Sequence, residues 1–542
     1  MKKPLVFCLL AFVIILPFQL VAATKNLLPI IPEKGVYDGK IGEQTLILIA
    51  QESTPTTQTG FYVLNQGKAV EETHSYQLEI RGKKIYFRSD SYSGTLKADL
   101  TANAINGKIA LDHQKRKFLF WKPKAIITFN KREEKVPQPN ERYQKEIFKE
   151  VVLKKDIKYG AAPGYWTSNP VDDQPYIEVL MRGINYTYKE TDSLDLKLDL
   201  YRPNTDTFML RPVILLIHGG AFYIGSKKCP TSRQLAVTLA KRGYVVASID
   251  YRLGFKLNAR DVDRSGYRAL QDAHAAARFL ANRAKEYGID PNQMYVAGNS
   301  AGAIASLNLA FMDNDERPES VVNVKKSEDL GKIETSGNSL KDKFQIKAVG
   351  NLWGAVNDVA IIDPDEQIPV LSVHGTADDI VPYNYDYPFQ KAYLVNRLVM
   401  NKMYGSSPIH DRLNQLKIPN QLISLKGLKH EPQYDLQENF NSIMDTIMVN
   451  LPRFFYEQTA PKIASPEKQY TLVRNAGLQP FYVEVSNGNL NYAEATGGIK
   501  TSSNPTNLSF IWFKNSDVKK LTLYTKNQYE AWNVKEFRVT LK

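Results

Sequence analysis

Met294-Tyr295-Val296-Ala297-Gly298-Asn299-Ser300-Ala301-Gly302-Ala303-Ile304-Ala305 reads as a strand that turns at a serine directly into a helix. The apolar run Met294 to Ala297 has strand character, and Ala303-Ile304-Ala305 opens a small-residue helix. Glycines two positions either side of Ser300 let strand and helix pack closely around a strained turn. A serine on such a turn stands exposed above the sheet edge. Alone, the pattern G-x-S-x-G is only moderately specific, and an ordinary glycine-rich turn is the bland reading; the setting decides.

Working outward, strand-like and helix-like stretches alternate from about Tyr176 onward, which predicts a mostly parallel sheet covered on both faces. The expected strands are Lys197 to Tyr201, Pro212 to Ile217, Tyr244 to Ile249, Met294 to Ala297, Ile346 to Leu352, Val370 to Val373 and Gln421 to Leu425. Leu270, Ala273, Ala277 and Leu280 recur at helical spacing, small enough for close approach to a sheet. A final amphipathic helix is expected over about Asn439 to Gln458. Two segments interrupt the alternation: Asp313 to Lys343, expected as a surface insertion, and Tyr383 to Pro419, expected as a lid or a wall of a pocket.

A serine hydroxyl is a weak nucleophile at neutral pH, so a histidine must reach it and a carboxylate must orient that histidine. For a serine on this kind of turn the expected chain order is Ser, acid, His. Past Ser300 only His374, His410 and His430 remain. His430 follows the strand Gln421 to Leu425 in a loop, a placement suited to the base; His374 and His410 are read as structural. The turn after Val370 to Val373 carries Asp378 and Asp379. Asp378 is the choice for the acid, with Asp379 a rival that only geometry separates. Acyl transfer develops charge on a carbonyl oxygen, which backbone N–H groups stabilise. His218-Gly219-Gly220-Ala221-Phe222, following the strand Pro212 to Ile217, supplies them: Gly219 or Gly220, together with the N–H of Ala301. His218 is expected to hold the glycine loop.

Taken together, His218-Gly219-Gly220-Ala221-Phe222, Tyr251-Arg252-Leu253-Gly254 and Gly298-Asn299-Ser300-Ala301-Gly302-Ala303 make residues 180 to 456 resemble the α/β-hydrolase superfamily. Within it they are similar to type-B carboxylesterases, hormone-sensitive-lipase-like enzymes and bacterial feruloyl or acetylxylan esterases. The resemblance implies an α/β fold with a mostly parallel central sheet, and carboxylic ester hydrolysis without a metal or organic cofactor. His374-Gly375-Thr376-Ala377-Asp378-Asp379 resembles the acid segment of prolyl-oligopeptidase-type peptidases, whose aspartate matches Asp378. A short catalytic region without disulfide cysteines, and an aspartate where many long carboxylesterases use glutamate, make the small bacterial esterases the nearer match.

The flanks differ from this core. Lys2, Lys3, the apolar run Leu5 to Leu16 and the small-residue end Val21-Ala22-Ala23 predict a signal peptide over residues 1–23, and hence a secreted, periplasmic or cell-surface location. The run is short for a bilayer span of about 20 residues. Residues 24–130 are expected as a β-rich N-terminal module, 131–175 as a linker with one short helix, 176–458 as the catalytic domain and 459–542 as a β-rich C-terminal module. Without the signal segment only Cys229 remains of the two cysteines, so no internal disulfide or cysteine zinc cage is available. The net charge of +13 is scattered rather than blocked, which argues against nucleic acid and leaves a plain solubility role, or attraction to anionic polysaccharide or a cell surface, as the expectation. Export and aromatic-rich flanks point to polysaccharide esters, beside small-molecule esters, as substrates. The competing readings are a peptidase, since the same triad cleaves amides, and a hydrolase-fold binding protein without catalysis. The substrate's acyl group and alcohol and the oligomeric state stay open.

Overall fold

The computed structural model describes residues 135–167, 192–322, 328–392, 396–397, 400–464, 469–472, 479–500, 507–512 and 518–541, and the backbone of eight strands between Gly35 and Lys131. The expected signal segment 1–23 lies outside the described residues, as does the expected start of the catalytic domain at Tyr176.

The centre is an eight-stranded sheet. Its strands are β1 (Val151–Gly164), β2 (Asp192–Pro203), β3 (Arg211–Ile217), β4 (Val245–Ile249), β5 (Ile289–Asn299), β6 (Ile346–Leu352), β7 (Val370–Gly375) and β8 (Asn420–Leu425). Their order across the sheet is β1-β2-β4-β3-β5-β6-β7-β8. The six strands from β3 to β8 run parallel, and β2 is antiparallel to both its neighbours. This is the mostly parallel sheet expected of an α/β-hydrolase.

Every residue of β3 is buried, which is why it reads as a continuous aliphatic run rather than an alternating one. Successive side chains still point to opposite faces. Val213, Leu215 and Ile217 join the core under α2 (Ala259–Asn282) and α3 (Ala301–Phe311), while Ile214 and Leu216 join that under α1 (Pro230–Lys241) and α5 (Ser442–Thr459). Asn258 caps α2 by accepting from the Asp261 N–H at 3.0 Å, satisfying one orphan donor of the first turn. Its alanines at 269, 273, 276 and 277 are fully buried.

One expectation needs correction. In the expected linker 131–175, the described residues 135–167 hold no helix but contain β1, the edge strand of the central sheet, and the fully buried Tyr143, which packs against Tyr244. The reason is exposure: an edge strand leaves most side chains in water, and charges there also discourage pairing with other chains, so Lys154, Lys155, Asp156 and Lys158 conceal it. Asp313 to Lys343, expected as a surface insertion, is mostly exposed or half-buried among its described residues and is tied to α2. Gln271 of α2 donates to the Leu330 and Lys332 carbonyls at 2.8 and 3.1 Å, and Arg278 to those of Ser336 and Asn338 at 2.9 and 3.1 Å. Tyr383 to Pro419, expected as a lid or a wall of a pocket, contains Ser406–Gln415, which forms α4 and covers the sheet through Ile409 and Leu413.

The eight N-terminal strands form one antiparallel sheet whose first strand, Gly35–Ile41, pairs with the last, Lys124–Lys131. Beyond α5 the chain forms further sheets around Ile463, Phe481, Leu523 and Phe537. These sheets are tied to the foot of the central one. Tyr529 donates to Asp290 at 2.8 Å, its carbonyl accepts from the Tyr143 hydroxyl at 3.0 Å, and Asn527 donates to the Thr459 carbonyl at 2.6 Å.

Candidate active site

β5 ends at Asn299 and α3 begins at Ala301, leaving Ser300 alone at the junction with φ 53° and ψ −122°. That conformation costs a non-glycine residue of order 1–3 kcal/mol. Close packing holds it: a Cβ on Gly298 would lie 2.4 Å from the Gly302 backbone, and one on Gly302 would lie 2.0 Å from the Ile217 carbonyl oxygen. Both glycines are therefore steric requirements. The Ser300 N–H donates to the Leu352 carbonyl at 2.9 Å, tying the elbow to β6.

Ser300, Asp378 and His430, separated in sequence, meet above the strand ends. His430 Nε2 is 2.9 Å from Ser300 Oγ, and His430 Nδ1 is 2.7 Å from Asp378 Oδ2. A carboxylate only accepts, so Nδ1 carries the proton and Nε2 is free to accept from the serine. Asp378 Oδ1 accepts from the N–H groups of Ile380 and Val381 at 2.8 and 3.0 Å. Burial pushes the Asp378 carboxyl up, but hydrogen bonds from His374 and His430 outweigh that and hold it well below the usual carboxylate range. Asp379, the rival, turns away and pairs with Lys391 at 2.7 Å.

The acid and base loops nest because Gly375 has no side chain: a Cβ there would lie 2.3 Å from the Leu428 carbonyl oxygen. Ala377 N–H donates to that same carbonyl at 3.0 Å, and Gly427 N–H to Thr376 Oγ1 at 2.9 Å.

Of the backbone N–H groups expected to face an oxyanion, one is already engaged. Gly219 N–H donates to Asn299 Oδ1 at 3.2 Å, so it is already engaged. Among the described residues, the N–H groups of Gly220, Ala221 and Ala301 make no protein hydrogen bond. Gly220, Ala221 and Phe222 have φ of 113°, 53° and 58°, a left-handed run that turns the loop at this point. A Cβ on Gly302 would also come within 2.5 Å of the His218 carbonyl oxygen, so the first turn of α3, with Ala301, abuts this loop.

Two sets of buried groups hold the loop. His218, fully buried, places Nδ1 2.7 Å from the Gly219 carbonyl and stacks on Tyr251. Burial lowers its pKa to about 4, so it is a neutral prop and not a base. From the Tyr251-Arg252-Leu253-Gly254 stretch, the Tyr251 hydroxyl donates to the His218 carbonyl at 2.9 Å and Gly254 N–H to that of Phe222 at 2.8 Å. Arg252 anchors that stretch on Asp272, their side chains 4% and 0% exposed.

Two residues matter here in ways the sequence reading missed. His374, taken as merely structural, places Nε2 3.2 Å from Asp378 Oδ2. Ala221, which the sequence does not single out, has an unengaged N–H beside that of Gly220; its position next to two glycines after a buried strand is the available signal. His410 sits on α4, its ring against the Asn420 side chain. Beside the elbow, Phe222, Gly266, Leu270, Ile304, Met400 and Met403 enclose much of a cavity of about 60 Å³. Phe222 follows the glycine loop and Ile304 lies one helical turn beyond Ser300, while Ser300 and His430 themselves do not line the cavity. Met400 and Met403, from the segment expected as a lid or a wall, line this cavity.

Residues 198–364 match the family model described as BD-FAE. A probable isoprenylcysteine alpha-carbonyl methylesterase of Oryza sativa subsp. japonica is 39% identical over 107 residues, 20% of this chain and 23% of that protein. Gut esterase 1 of Caenorhabditis elegans is 33% identical over 115 residues, 20% of each chain. The chain thus spans about a quarter of the length of these curated relatives. Among solved structures, a truncated carbohydrate esterase from gut microbiota is 20% identical, with a TM-score of 0.35 over 59% of this chain and 98% of that one. Apo esterase 2 of Thermogutta terrifontis is 19% identical, with a TM-score of 0.34 over 50% and 92%.

Proposed function

We propose that this chain is an exported serine hydrolase of carboxylic esters. The observation that carries the reading is the relay from Ser300 Oγ through His430 to Asp378, set beside three unpaired backbone donors. Ser300 Oγ attacks the ester carbonyl as its proton passes to His430 Nε2, and Asp378 stabilises the imidazolium. The N–H groups of Gly220, Ala221 and Ala301 receive the developing oxyanion. On collapse, His430 returns the proton to the leaving alcohol. Water, deprotonated by His430, then releases the acid from the acyl enzyme.

In this reading the chamber behind Phe222 and Ile304 takes the acyl group, and its volume suits short acyl chains on a small alcohol or a polysaccharide. Export after removal of residues 1–23 would place the enzyme where such polymers occur. Purified protein should release p-nitrophenol from acetyl to butyryl esters and acetate from acetylated saccharides, and leave proline-peptide amides intact. Amide cleavage with no ester turnover would refute the ester reading.

Two substitutions test its parts. Gly220→Ala places a Cβ 2.1 Å from the Ile224 carbonyl oxygen at φ 113°, so the loop must move. Loss of an oxyanion donor costs about 10²–10³ in kcat, and a fall of that order with little change in KM is expected. An unaffected kcat would remove Gly220 from the mechanism. Gly266→Val fills the chamber from the α2 side, where an added Cβ already meets the Phe222 ring at 3.6 Å. The ratio of butyryl to acetyl ester hydrolysis should fall about tenfold; an unchanged ratio would place the acyl group elsewhere.

A further inference from the structure

The carboxylate of Asp378 faces a second histidine. His374, at the end of β7, and Asp378 are both fully buried at their side chains, with His374 Nε2 3.2 Å from Asp378 Oδ2 and 3.1 Å from the Val381 carbonyl oxygen. Its Nδ1 lies 2.8 Å from Ser406 Oγ, at the start of α4. Both neighbours of Nε2 only accept, so Nε2 carries the proton and Nδ1 must accept from the Ser406 hydroxyl. Ser406 in turn accepts from Asn351 Nδ2 at 3.0 Å. The Asn351 amide cannot be reversed, because its Oδ1 accepts from the Gly354 N–H at 2.9 Å and its Nδ2 also donates to Ser372 Oγ at 2.9 Å. With the His374 ring neutral, donor direction runs from Asn351 to Ser406, from Ser406 to His374 and from His374 to the Val381 carbonyl, with Asp378 Oδ2 as a second acceptor 3.2 Å away.

We infer that His374 is a positioning residue of the hydrolytic site: its Nε2 proton, which hydrogen-bonds the Val381 carbonyl and lies beside Asp378 Oδ2 at an N···O distance of 3.2 Å, is a fourth, shared donor to the carboxylate that helps to fix it and weakens its pull on His430. The other three donors are His430 and the N–H groups of Ile380 and Val381. A carboxylate holding four donors spreads its charge and cannot rotate. With His374 removed, Oδ2 bears its charge against His430 alone, and the imidazolium form of His430 is favoured more strongly. Charged groups near His430 include Lys429 and Glu431 on either side of it in the chain, Glu438 beyond Glu431, and the Asp379–Lys391 pair on the acid loop. None of these touches His374 among the described residues.

The inference rests on the proposed ester hydrolysis, and its test separates the two. Wild type, His374→Leu, His374→Gln and Ser406→Ala are assayed for kcat and KM on p-nitrophenyl acetate across pH. An inactive but folded wild type would defeat the ester reading itself. Given an active wild type, His374→Leu should lower kcat at least about tenfold with KM little changed. Its acid limb of kcat/KM should move upward by about half a pH unit or more. His374→Gln, whose Nε2 can reach the same oxygen, should restore most of kcat and the wild-type limb. Ser406→Ala keeps the ring and loses the partner of Nδ1, so it should shift the limb in the same sense by less; it serves in place of His374→Leu should that variant not fold. A limb that stays at its wild-type position in both His374→Leu and Ser406→Ala, or His374→Leu and His374→Gln falling alike, would overturn the inference.

Discussion

Ser300→Ala is expected to lower kcat for short-chain p-nitrophenyl esters by a factor on the order of 10⁴–10⁶, leaving the fold intact. The hydroxyl supplies the nucleophile and the proton that His430 accepts, and nothing else described in the site replaces either. The backbone demand is unchanged, because alanine faces the same left-handed φ of 53° as serine and keeps the N–H bond to the Leu352 carbonyl. A thermal midpoint close to wild type is therefore expected beside the lost turnover. Labelling by a fluorophosphonate, which reports an activated serine without a full catalytic cycle, should vanish as well. Hydrolysis by Ser300→Ala at the wild-type rate, with contaminating esterase excluded, would end the acyl-enzyme reading. Loss of turnover with labelling retained would move the nucleophile to another serine.

What the sequence disclosed and what it withheld follow from exposure and distance. The strands β3 to β7 are buried on both faces, so burial writes them as aliphatic runs with clear ends, and the elbow is bracketed by glycines that a Cβ would wreck. The edge strand β1 has no such signature, since water accepts Lys154, Lys155 and Lys158 as readily as a loop does. Fine roles at the site depend on contacts across the fold. Of Gly219 and Gly220, the first has its N–H engaged by the Asn299 side chain, which reaches it from 80 residues away in sequence. Asp378 and Asp379 are equivalent as letters in a turn. They separate only because one carboxylate turns inward to His430 and the Ile380 and Val381 N–H groups, while its neighbour reaches Lys391. His374 lay in view beside the acid, yet its role needs Ser406 and Asn351, brought in by α4 and β6.

The largest effect on stability is expected at Lys227, just beyond the oxyanion loop. Its side chain is 3% exposed, and Nζ lies 2.8, 3.3 and 3.4 Å from carboxylate oxygens of Asp156, Asp199 and Asp250. Burial alone would push the ammonium down, but the three carboxylates hold it well above the ordinary lysine range. Its backbone is pinned too: the Lys227 N–H donates to Asp250 Oδ1 at 2.7 Å, and its carbonyl accepts from Ser248 Oγ at 2.9 Å. Lys227→Met keeps most of the volume and strands two buried carboxylates, Asp199 and Asp250, without their cation. Breaking a buried pair in this way costs about 3–5 kcal/mol, measured as a fall in the urea midpoint at constant slope. Asp156→Asn, at a carboxylate 55% exposed, should cost under about 1 kcal/mol. The sign with pH follows from the stranded acids. Burial already raises the Asp250 carboxyl, and without Lys227 it rises further above its unfolded value of about 3.9. A group so raised destabilises the fold while ionised, and the penalty fades as pH falls through its folded pKa. The gap between wild type and Lys227→Met should therefore narrow from about pH 8 to about pH 5. A gap of the same size at both pH values, or a variant as stable as wild type at the higher one, would show that the cluster does not depend on the lysine charge.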